Sequence, residues 1–418
     1  MDYPRLRPLN VYPVQMSGQA LVCLQDPQNI SEKVLFLPPA LYFIVSHFDG
    51  KHSILDIQTE YMRQFGELLF SEKIEEVIQQ LDENLFLEGS RFQDALREKE
   101  EGFRRAPFRE AVFAGKSYDE TPEELRLQIK GYFEGADGPG ALNQRGESER
   151  VRGLVVPHID FQRGGYCYAF AHRELWAKGS SHSFIIFGTA HTPMQQPFCL
   201  THKDFVTPLG RLGADHALID AIQSRCDYDL FSDEIVHRTE HSIEFQCVFL
   251  RFLIPEPAPL KIVPILSGSL HEAILKGISP REIESIHQFL HALKESVRAS
   301  GENVCVLASA DLAHLGLPFG DPEGLEEYDL RVLADKDEEM LSFVTRMDAE
   351  GFFHYVSREG DRRRICGLPA IYAMLNVLDA REGKLLKYGQ AYTAETRSVV
   401  SFASLAFYGN QFPGPEGG

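Results

Sequence analysis

Three histidines stand just after short apolar segments that are rich in β-forming residues. They are His158 after residues 154–156, His191 after residues 183–187 and His314 after residues 304–309. If these segments are parallel strands of an α/β sheet, their carboxyl ends meet at one edge, where such folds place their binding sites. A single histidine is usually structural, but three in equivalent positions indicate a metal or acid–base site.

Cys366 opens the sequence Cys366-Gly367-Leu368-Pro369, and a predicted helix follows over residues 370–378. A thiol at a helix N-terminus lies at the positive end of the helix dipole, which lowers its pKa and favours the thiolate. Alone, such a cysteine is as often a buried packing residue. Beside two imidazoles it becomes a candidate soft metal ligand.

The segment Glu240-His241-Ser242-Ile243-Glu244 carries two carboxylates four residues apart. On a helix they would share one face, with His241 beside them. This pattern suits a pocket wall with acid–base duty or one that supports metal ligands. It suits equally well a solvated, charged helix start.

The order of elements predicts an α/β domain over residues 107–418, with a central sheet flanked by helices. Strands are predicted at residues 154–156, 183–187, 260–266 and 304–309, and helices at residues 214–225, 241–253 and 281–298. Thr121 is the predicted N-cap of an earlier helix, followed by Pro122 and by Glu124 at the third position. The glycine-rich residues 135–150 are predicted to form a mobile loop.

Residues 1–92 predict a separate small α+β domain of the winged-helix type, followed by a charge-rich connector, helical or flexible, over residues 93–106. Its predicted elements are strands at residues 11–16 and 20–25, a helix at residues 53–64 and a β-wing at residues 86–92. Ser53 and Asp56 fit a capping box at the helix start.

One helical face of this domain is predicted to form its core. The apolar positions on that face are Ile74, Val77, Ile78, Leu81 and Leu85. The stretch Phe48–Ile57 resembles the signature of PqqD-like peptide-recognition domains. An accessory packing domain is the alternative interpretation.

The chain has 418 residues and a net charge of -19, from 61 acidic and 42 basic residues. Such an acidic balance argues against nucleic-acid binding, and so against a winged-helix transcription factor. The N-terminus lacks the apolar core of a signal peptide, and no apolar run is long enough to span a membrane. Seven cysteines without a CxxC pair argue against a disulfide framework, so we expect a cytoplasmic location.

A series of motifs in the second region resembles the MEMO family, called AmmeMemoRadiSam system protein B in bacteria. The matching segments are Ala114-Gly115-Lys116-Ser117-Tyr118, Pro157-His158-Ile159-Asp160-Phe161, Phe187-Gly188-Thr189-Ala190-His191, Thr207-Pro208-Leu209-Gly210, Glu240-His241-Ser242-Ile243-Glu244, Ser309-Ala310-Asp311-Leu312-Ala313-His314 and Val399-Val400-Ser401-Phe402-Ala403. The likeness covers residues 105 to 410 in order. Ala190 stands where the family has serine, and Ile159-Asp160-Phe161 replaces an Ala-Gly-Tyr, so the pocket entrance differs.

This resemblance implies the fold of class III extradiol dioxygenases and a single metal ion. His158, His191 and Cys366 would be the metal ligands. His314 would be the acid–base residue, with Asp311 orienting or polarising it. Glu240, His241 and Glu244 complete the set of candidate catalytic residues.

The implied function is a mononuclear, dioxygenase-like metalloprotein that acts on an unknown small molecule or peptide. Fe(II) is the preferred metal, while a thiolate ligand would also suit Cu(I) or Zn²⁺ and one-electron redox chemistry. The family further implies a radical SAM protein and an AMMECR1-like protein as partners. The alternative is a non-catalytic scaffold that binds a peptide or a protein in the same cleft.

Overall fold

The chain divides after Ala106 into two units, Met1–Ala106 and Pro107–Gly418. The structure is a computed structural model that describes residues 2–16, 18–142, 150–178 and 182–409. None of the helices in these ranges combines the length and the apolar composition needed to cross a membrane.

The first unit combines a small antiparallel sheet with four helices. Its strands are β1 (Asn10–Met16), β2 (Gln19–Gln25) and β3 (Val34–Leu37), paired in the order β1-β2-β3. Its helices are α1 (Pro39–Ser46), α2 (Ile54–Phe65), α3 (Ser71–Glu83) and α4 (Ser90–Arg105). The predicted capping box is present, since the Ser53 hydroxyl accepts from the Asp56 N–H and the Asp56 carboxylate accepts from the Ser53 N–H.

One prediction for the first unit is wrong. Residues 86–92 do not form a β-wing, because Leu87 makes only an isolated bridge to Leu6 and helix α4 begins at Ser90. Residues 93–106 take the helical one of the two forms predicted for the connector: they lie in or directly after α4, which buries Phe92 and Phe103 on one side, and they belong to the first unit. The charged run is therefore the solvated face of an amphipathic helix. The winged-helix assignment itself stays a prediction.

The core of the first unit contains four of the five apolar side chains expected there. Ile74, Val77, Ile78 and Leu81 are buried together with residues of α1 and β2. Leu85 is only half-buried, because it follows the end of α3 in a left-handed conformation with φ 64°. The helix therefore ends at Glu83, two residues before the last apolar position of the pattern.

The second unit is organised around an eleven-stranded mixed sheet. Its strands are β4 (Phe108–Arg109), β5 (Arg150–Val156), β6 (Ser183–Thr189), β7 (Phe198–Leu200), β8 (Asp204–Thr207), β9 (Gly210–Ala214), β10 (Lys261–Ser267), β11 (Val304–Ser309), β12 (Asp311–Leu315), β13 (Glu382–Thr393) and β14 (Ser398–Gly409). The main order is β12-β14-β5-β11-β6-β10-β9-β8-β4, while β13 pairs with β14 and β7 with β10. The four central strands β5, β11, β6 and β10 are parallel.

Helices cover both faces of this sheet, as predicted. They are α5 (Pro122–Glu134), α6 (Phe161–Ala177), α7 (His216–Gln223), α8 (His241–Leu253), α9 (His271–Lys276), α10 (Glu284–Ser300), α11 (Glu327–Thr345), α12 (Ala349–Arg358) and α13 (Leu368–Val377). Alternate residues of β5 face opposite layers: Leu154 and Val156 pack towards α5, α6 and α8, and Val155 packs towards α7 and α10–α13. Burial on both faces explains why the central strands read as continuous apolar runs.

The parallel strands β5 and β6 both end at one edge of the sheet, two residues before His158 and His191. His314 reaches the same region differently, because residues 311–315 form a further strand, β12, that pairs antiparallel with β14. The predicted N-cap at Thr121 is present, with its hydroxyl accepting from the Glu124 N–H. Of the loop predicted at residues 135–150, residues 143–149 lie outside the described residues.

Candidate metal centre

Three imidazoles converge at this edge of the sheet. His158, His191 and His241 each offer one ring nitrogen, and these nitrogens all lie within 4.8 Å of one another. The ring centroids are 5.0 Å apart for His158 and His191, 5.4 Å for His158 and His241, and 4.7 Å for His191 and His241. Three nitrogen donors at this spacing could all coordinate one metal ion.

The deepest of the three is His158, whose side chain is 2% exposed. Its Nδ1 lies 3.0 Å from the carbonyl oxygen of Ser309, at the end of β11. A carbonyl can only accept, so Nδ1 must carry the proton and Nε2 presents a lone pair. Burial, with the neighbouring His191 and His241, holds the pKa of His158 well below its usual range, so the imidazole is neutral as a ligand must be.

One carboxylate orients the other two imidazoles. Glu240 is the N-cap of α8, where it accepts from the Ser242 N–H at 3.0 Å. It lies 3.1 Å from His191 Nδ1 and 3.2 Å from His241 Nδ1, and it also accepts the His191 N–H at 2.9 Å. Both rings thus donate Nδ1–H to Glu240 and leave Nε2 free, which is the arrangement that supports metal-binding histidines.

Charged neighbours within this cluster shift the pKa values of Glu240 and His191. Burial alone would raise the pKa of Glu240, but His191 and His241 outweigh burial and hold that pKa well below its usual range. For His191, burial acts to lower the pKa, while the charge and the hydrogen bond of Glu240 raise it on balance. The carboxylate is therefore ionised at neutral pH and strengthens both imidazoles as donors.

Cys366 contacts the same cluster from the side of α13. Its Sγ lies 3.3 Å from His158 Nε2 and 3.7 Å from the carbonyl oxygen of Asp311. The expected lowering of its pKa is wrong, because burial raises the pKa of the thiol well above its usual value and the charge of Asp311 adds to this. Helix α13 begins at Leu368 after the N-cap Gly367, so the thiol lies outside the first turn, where the dipole acts.

The ligand set of His158, His191 and Cys366 thus stays a prediction, and the structure adds His241 to the cluster. Sequence reasoning placed His241 on a pocket wall and not among the ligands. The available signal was its position at the start of the helix predicted over residues 241–253, which places His241 at a helix N-terminus next to the carboxylate of Glu240.

His314 lies beside the cluster and lines the same cavity of about 360 Å³. Its Nδ1 is 3.2 Å from the carbonyl oxygen of Leu312 and 3.3 Å from that of Arg364. Two carbonyls, and not the carboxylate of Asp311, therefore orient this ring. Burial lowers the pKa of His314, and the charge of Asp311 partly opposes that shift.

Asp311 bonds to the backbone around His158 and not to the ring of His314, which was its expected partner. Its Oδ1 accepts the backbone N–H groups of His158 at 2.9 Å and Ile159 at 3.2 Å. Its Oδ2 is 3.7 Å from His158 Nε2. Asp311 thereby fixes the backbone that delivers His158, and its influence on His314 is electrostatic.

Glu244 does not share a face with Glu240. Glu240 has the extended backbone of an N-cap, so its side chain folds back over the helix start, while Glu244 projects from the first turn of α8. There Glu244 is fully buried against Arg109 and Tyr118. Its place among the catalytic residues stays a prediction, and in this structure its oxygens are bound by Arg109, Phe113 and Tyr118.

Replacing Glu240 by glutamine is expected to weaken metal binding about ten- to a hundredfold. The amide is uncharged, and its NH2 group replaces one carboxylate oxygen, so it cannot both accept the Nδ1–H groups of the two imidazoles and accept the backbone N–H of His191. Titration of the metal-free protein with Zn²⁺ measures the change. Glu284→Gln, in the first turn of α10 and exposed, is the control. Equal affinities for both variants would contradict the orienting role of Glu240.

Fold and site together define a mixed α/β protein with a three-histidine cluster at the carboxyl ends of parallel strands. Residues 109–406 match the model of the family described as Memo-like protein. The chain belongs to this family, as the sequence motifs predicted.

Several curated relatives carry the same family description. A MEMO1 family protein of Aquifex aeolicus (strain VF5) is 30% identical over 400 residues, which is 95% of this chain and 98% of the relative. A MEMO1 family protein of Pyrococcus abyssi (strain GE5 / Orsay) is 28% identical over 70% of this chain and 96% of its own length. One of Thermus thermophilus is 26% identical over 84% of this chain and 97% of its own length. The Aquifex alignment is long enough to include most of the first unit.

Proposed function

We propose that this chain is a mononuclear metalloprotein of dioxygenase-like type, with iron as its metal. The observation that carries the proposal is that all three converging imidazoles have Nδ1 bound to a carbonyl or carboxylate oxygen, so that each presents Nε2. Donor sets of imidazole suit Fe(II), Zn²⁺ and copper. We propose His158 and His191 as ligands, with His241 or Cys366 as the third.

The cavity beside the cluster determines how a substrate would be held. Phe113, Phe319 and Val400 line it, together with Arg163 at 49% side-chain exposure. The apolar walls would pack against the apolar part of a substrate, and the guanidinium, which is ion-paired with Asp160, has further N–H groups that could bind a polar group of the substrate. A volume of about 360 Å³ suits a small organic molecule.

His314 is the residue that we propose moves a proton. Because its Nδ1–H is bound to the carbonyl oxygens of Leu312 and Arg364, its Nε2 can accept a proton from a substrate group. A lowered pKa keeps this nitrogen unprotonated at neutral pH. Iron bound at the cluster would supply Lewis acidity and redox chemistry.

Elemental analysis of protein purified without oxygen tests this proposal. We expect about one equivalent of iron, and we expect His158→Ala to lose it because the most buried donor is removed. The exposed His287→Ala is the control and should retain the metal. His314→Ala should also retain metal but lose any turnover. A folded protein that binds no iron, zinc or copper would contradict the proposal and favour the scaffold alternative.

A further inference from the structure

A fully buried ion pair lies directly behind the metal cluster. Arg109 comes from β4 and Glu244 from the first turn of α8, and both side chains are 0% exposed. The Arg109 Nη1 donates to Glu244 Oε2 and, at 2.7 Å, to the carbonyl oxygen of Glu110. Burying two charges is costly, so an ion pair at such a place calls for further interactions that offset the cost.

The other two nitrogens of Arg109 bind the turn that precedes α8. Nε donates to the carbonyl oxygen of His237 at 3.1 Å, and Nη2 donates to the carbonyl oxygen of Glu240 at 2.7 Å. One planar guanidinium thus spans both ends of residues 237–240. This turn delivers Glu240 and His241 to the cluster, so its backbone sets where those two side chains point.

The carboxylate of Glu244 holds a second segment of the site. Its Oε1 accepts the backbone N–H of Phe113 at 2.9 Å and the hydroxyl of Tyr118. The ring of Phe113 meets that of His241 edge to face, with 5.6 Å between centroids. The ion pair therefore fixes the turn that carries His241 and also the wall that contacts its ring.

We propose that Arg109 is a positioning residue of the metal centre, acting through the backbone of residues 237–240 to hold Nε2 of His241 towards His158 and His191. Arg109 does not touch the cluster itself. Its effect requires the fork of its guanidinium, because a lysine ammonium opposite Glu244 is a single point charge and cannot reach both carbonyls. The inference rests on the proposed metal site.

Arg109→Lys tests the proposal with Co²⁺ as a visible probe. We expect the Co²⁺ affinity to fall about tenfold or more and the visible spectrum of bound Co²⁺ to change, because one imidazole loses its fixed position. The matched control is Arg251→Lys. Arg251 is also buried in α8 and binds the carbonyl oxygens of Ile254 and Ala258, but at the far end of the helix. The Arg251→Lys variant should bind Co²⁺ with the affinity and the visible spectrum of the parent.

The same substitution in a His241→Ala background separates positioning from general loss of structure. If Arg109 acts mainly through His241, Arg109→Lys should weaken Co²⁺ binding much less in that background than in the parent. Tyr118→Phe, which removes one bond to Glu244, provides a milder variant and should shift the Co²⁺ spectrum in the same direction. Parent-like Co²⁺ binding by both Arg109→Lys and Tyr118→Phe would overturn the proposal. A parent that binds no Co²⁺ would instead overturn the metal site itself, and the positioning role with it.

Discussion

Replacing Arg363 by methionine is expected to lower the free energy of unfolding of the second unit by about 3–5 kcal/mol. Arg363 and Asp337 form a buried pair, with side chains 4% and 0% exposed and Nη1 2.5 Å from Oδ1. Tyr388 donates to the other Asp337 oxygen at 2.9 Å. Burial raises the pKa of Asp337 in spite of Arg363, so removing the cation leaves a poorly compensated charge in the core.

Urea unfolding of the variant measures this loss, and a second substitution makes the test specific. Asp337→Asn combined with Arg363→Met removes both charges of the buried pair, and it should recover much of the lost stability, since the other partner of Arg363, Glu359, is 23% exposed and remains solvated. The exposed pair of Arg331 and Glu327, 74% and 81% exposed, is the control. Arg331→Met should change stability by less than about 1 kcal/mol. An equal loss at both sites, or no recovery in the double variant, would contradict the argument.

The pair also bears on the site, because the backbone of Arg363 is part of it. The Arg363 carbonyl oxygen accepts the N–H of His314 at 2.8 Å, and the next carbonyl, that of Arg364, faces His314 Nδ1. Asp337 thus anchors the segment that orients the proposed proton carrier. We therefore expect Arg363→Met to change the orientation of the His314 ring as well as to lower the free energy of unfolding.

Two buried histidines are expected to make the fold sensitive to mild acid. Burial lowers the pKa of His172 to about 4 and that of His237 to about 3. His172 donates through Nδ1 to the carbonyl oxygen of Tyr168, and its Nε2 has no partner among the described residues. A proton on either ring would place an unpaired charge in the core.

The direction of the pH effect follows from these lowered values. The unfolded chain binds protons on these rings near pH 6.5, while the folded chain does so only near pH 4 and pH 3. Their contribution to stability is therefore constant above about pH 6.5 and decreases as the pH falls. Below about pH 6.5, each ring is expected to lower the free energy of unfolding by about 1.4 kcal/mol for every unit by which the pH falls.

Urea unfolding at pH 7, 6 and 5 checks the expectation. The asparagine of His172→Asn retains a donor for the Tyr168 carbonyl and cannot be protonated. The free energy of unfolding of this variant should therefore fall less steeply with decreasing pH than that of the parent, and the two slopes should differ by about 1.4 kcal/mol per pH unit. The exposed His287→Asn on α10 is the control and should keep the slope of the parent. Parallel slopes for the parent and His172→Asn would show that His172 is not the cause.

Most of the secondary structure of the second unit is encoded locally. Strands β5, β6 and β11 are buried on both faces, so each appears in the sequence as an unbroken apolar run. The caps at Thr121 and Ser53 are hydrogen bonds between residues three apart, and the sequence predicts them for that reason. The start of helix α4 at Ser90 was not predicted, because its two buried residues, Phe92 and Phe103, lie far apart within a charged run.

Some features of the site likewise follow from local sequence, while others depend on contacts between residues far apart in the chain. His158 and His191 follow parallel strands at a fixed short distance, so strand prediction alone brings them to one edge. The different roles of Glu240 and Glu244 depend on partners far away in the sequence. The guanidinium of Arg109 lies 131 residues from Glu240, and His191 lies 49 residues from it. The raised pKa of Cys366 likewise depends on burial against Asp311, 55 residues away. Sequence patterns predict which residues reach the edge of the sheet, because the end of each strand is marked locally by the end of an apolar run. Which nitrogen each imidazole presents, and which carboxylate faces the cluster, is set by contacts that form only when the sheet and helices have packed.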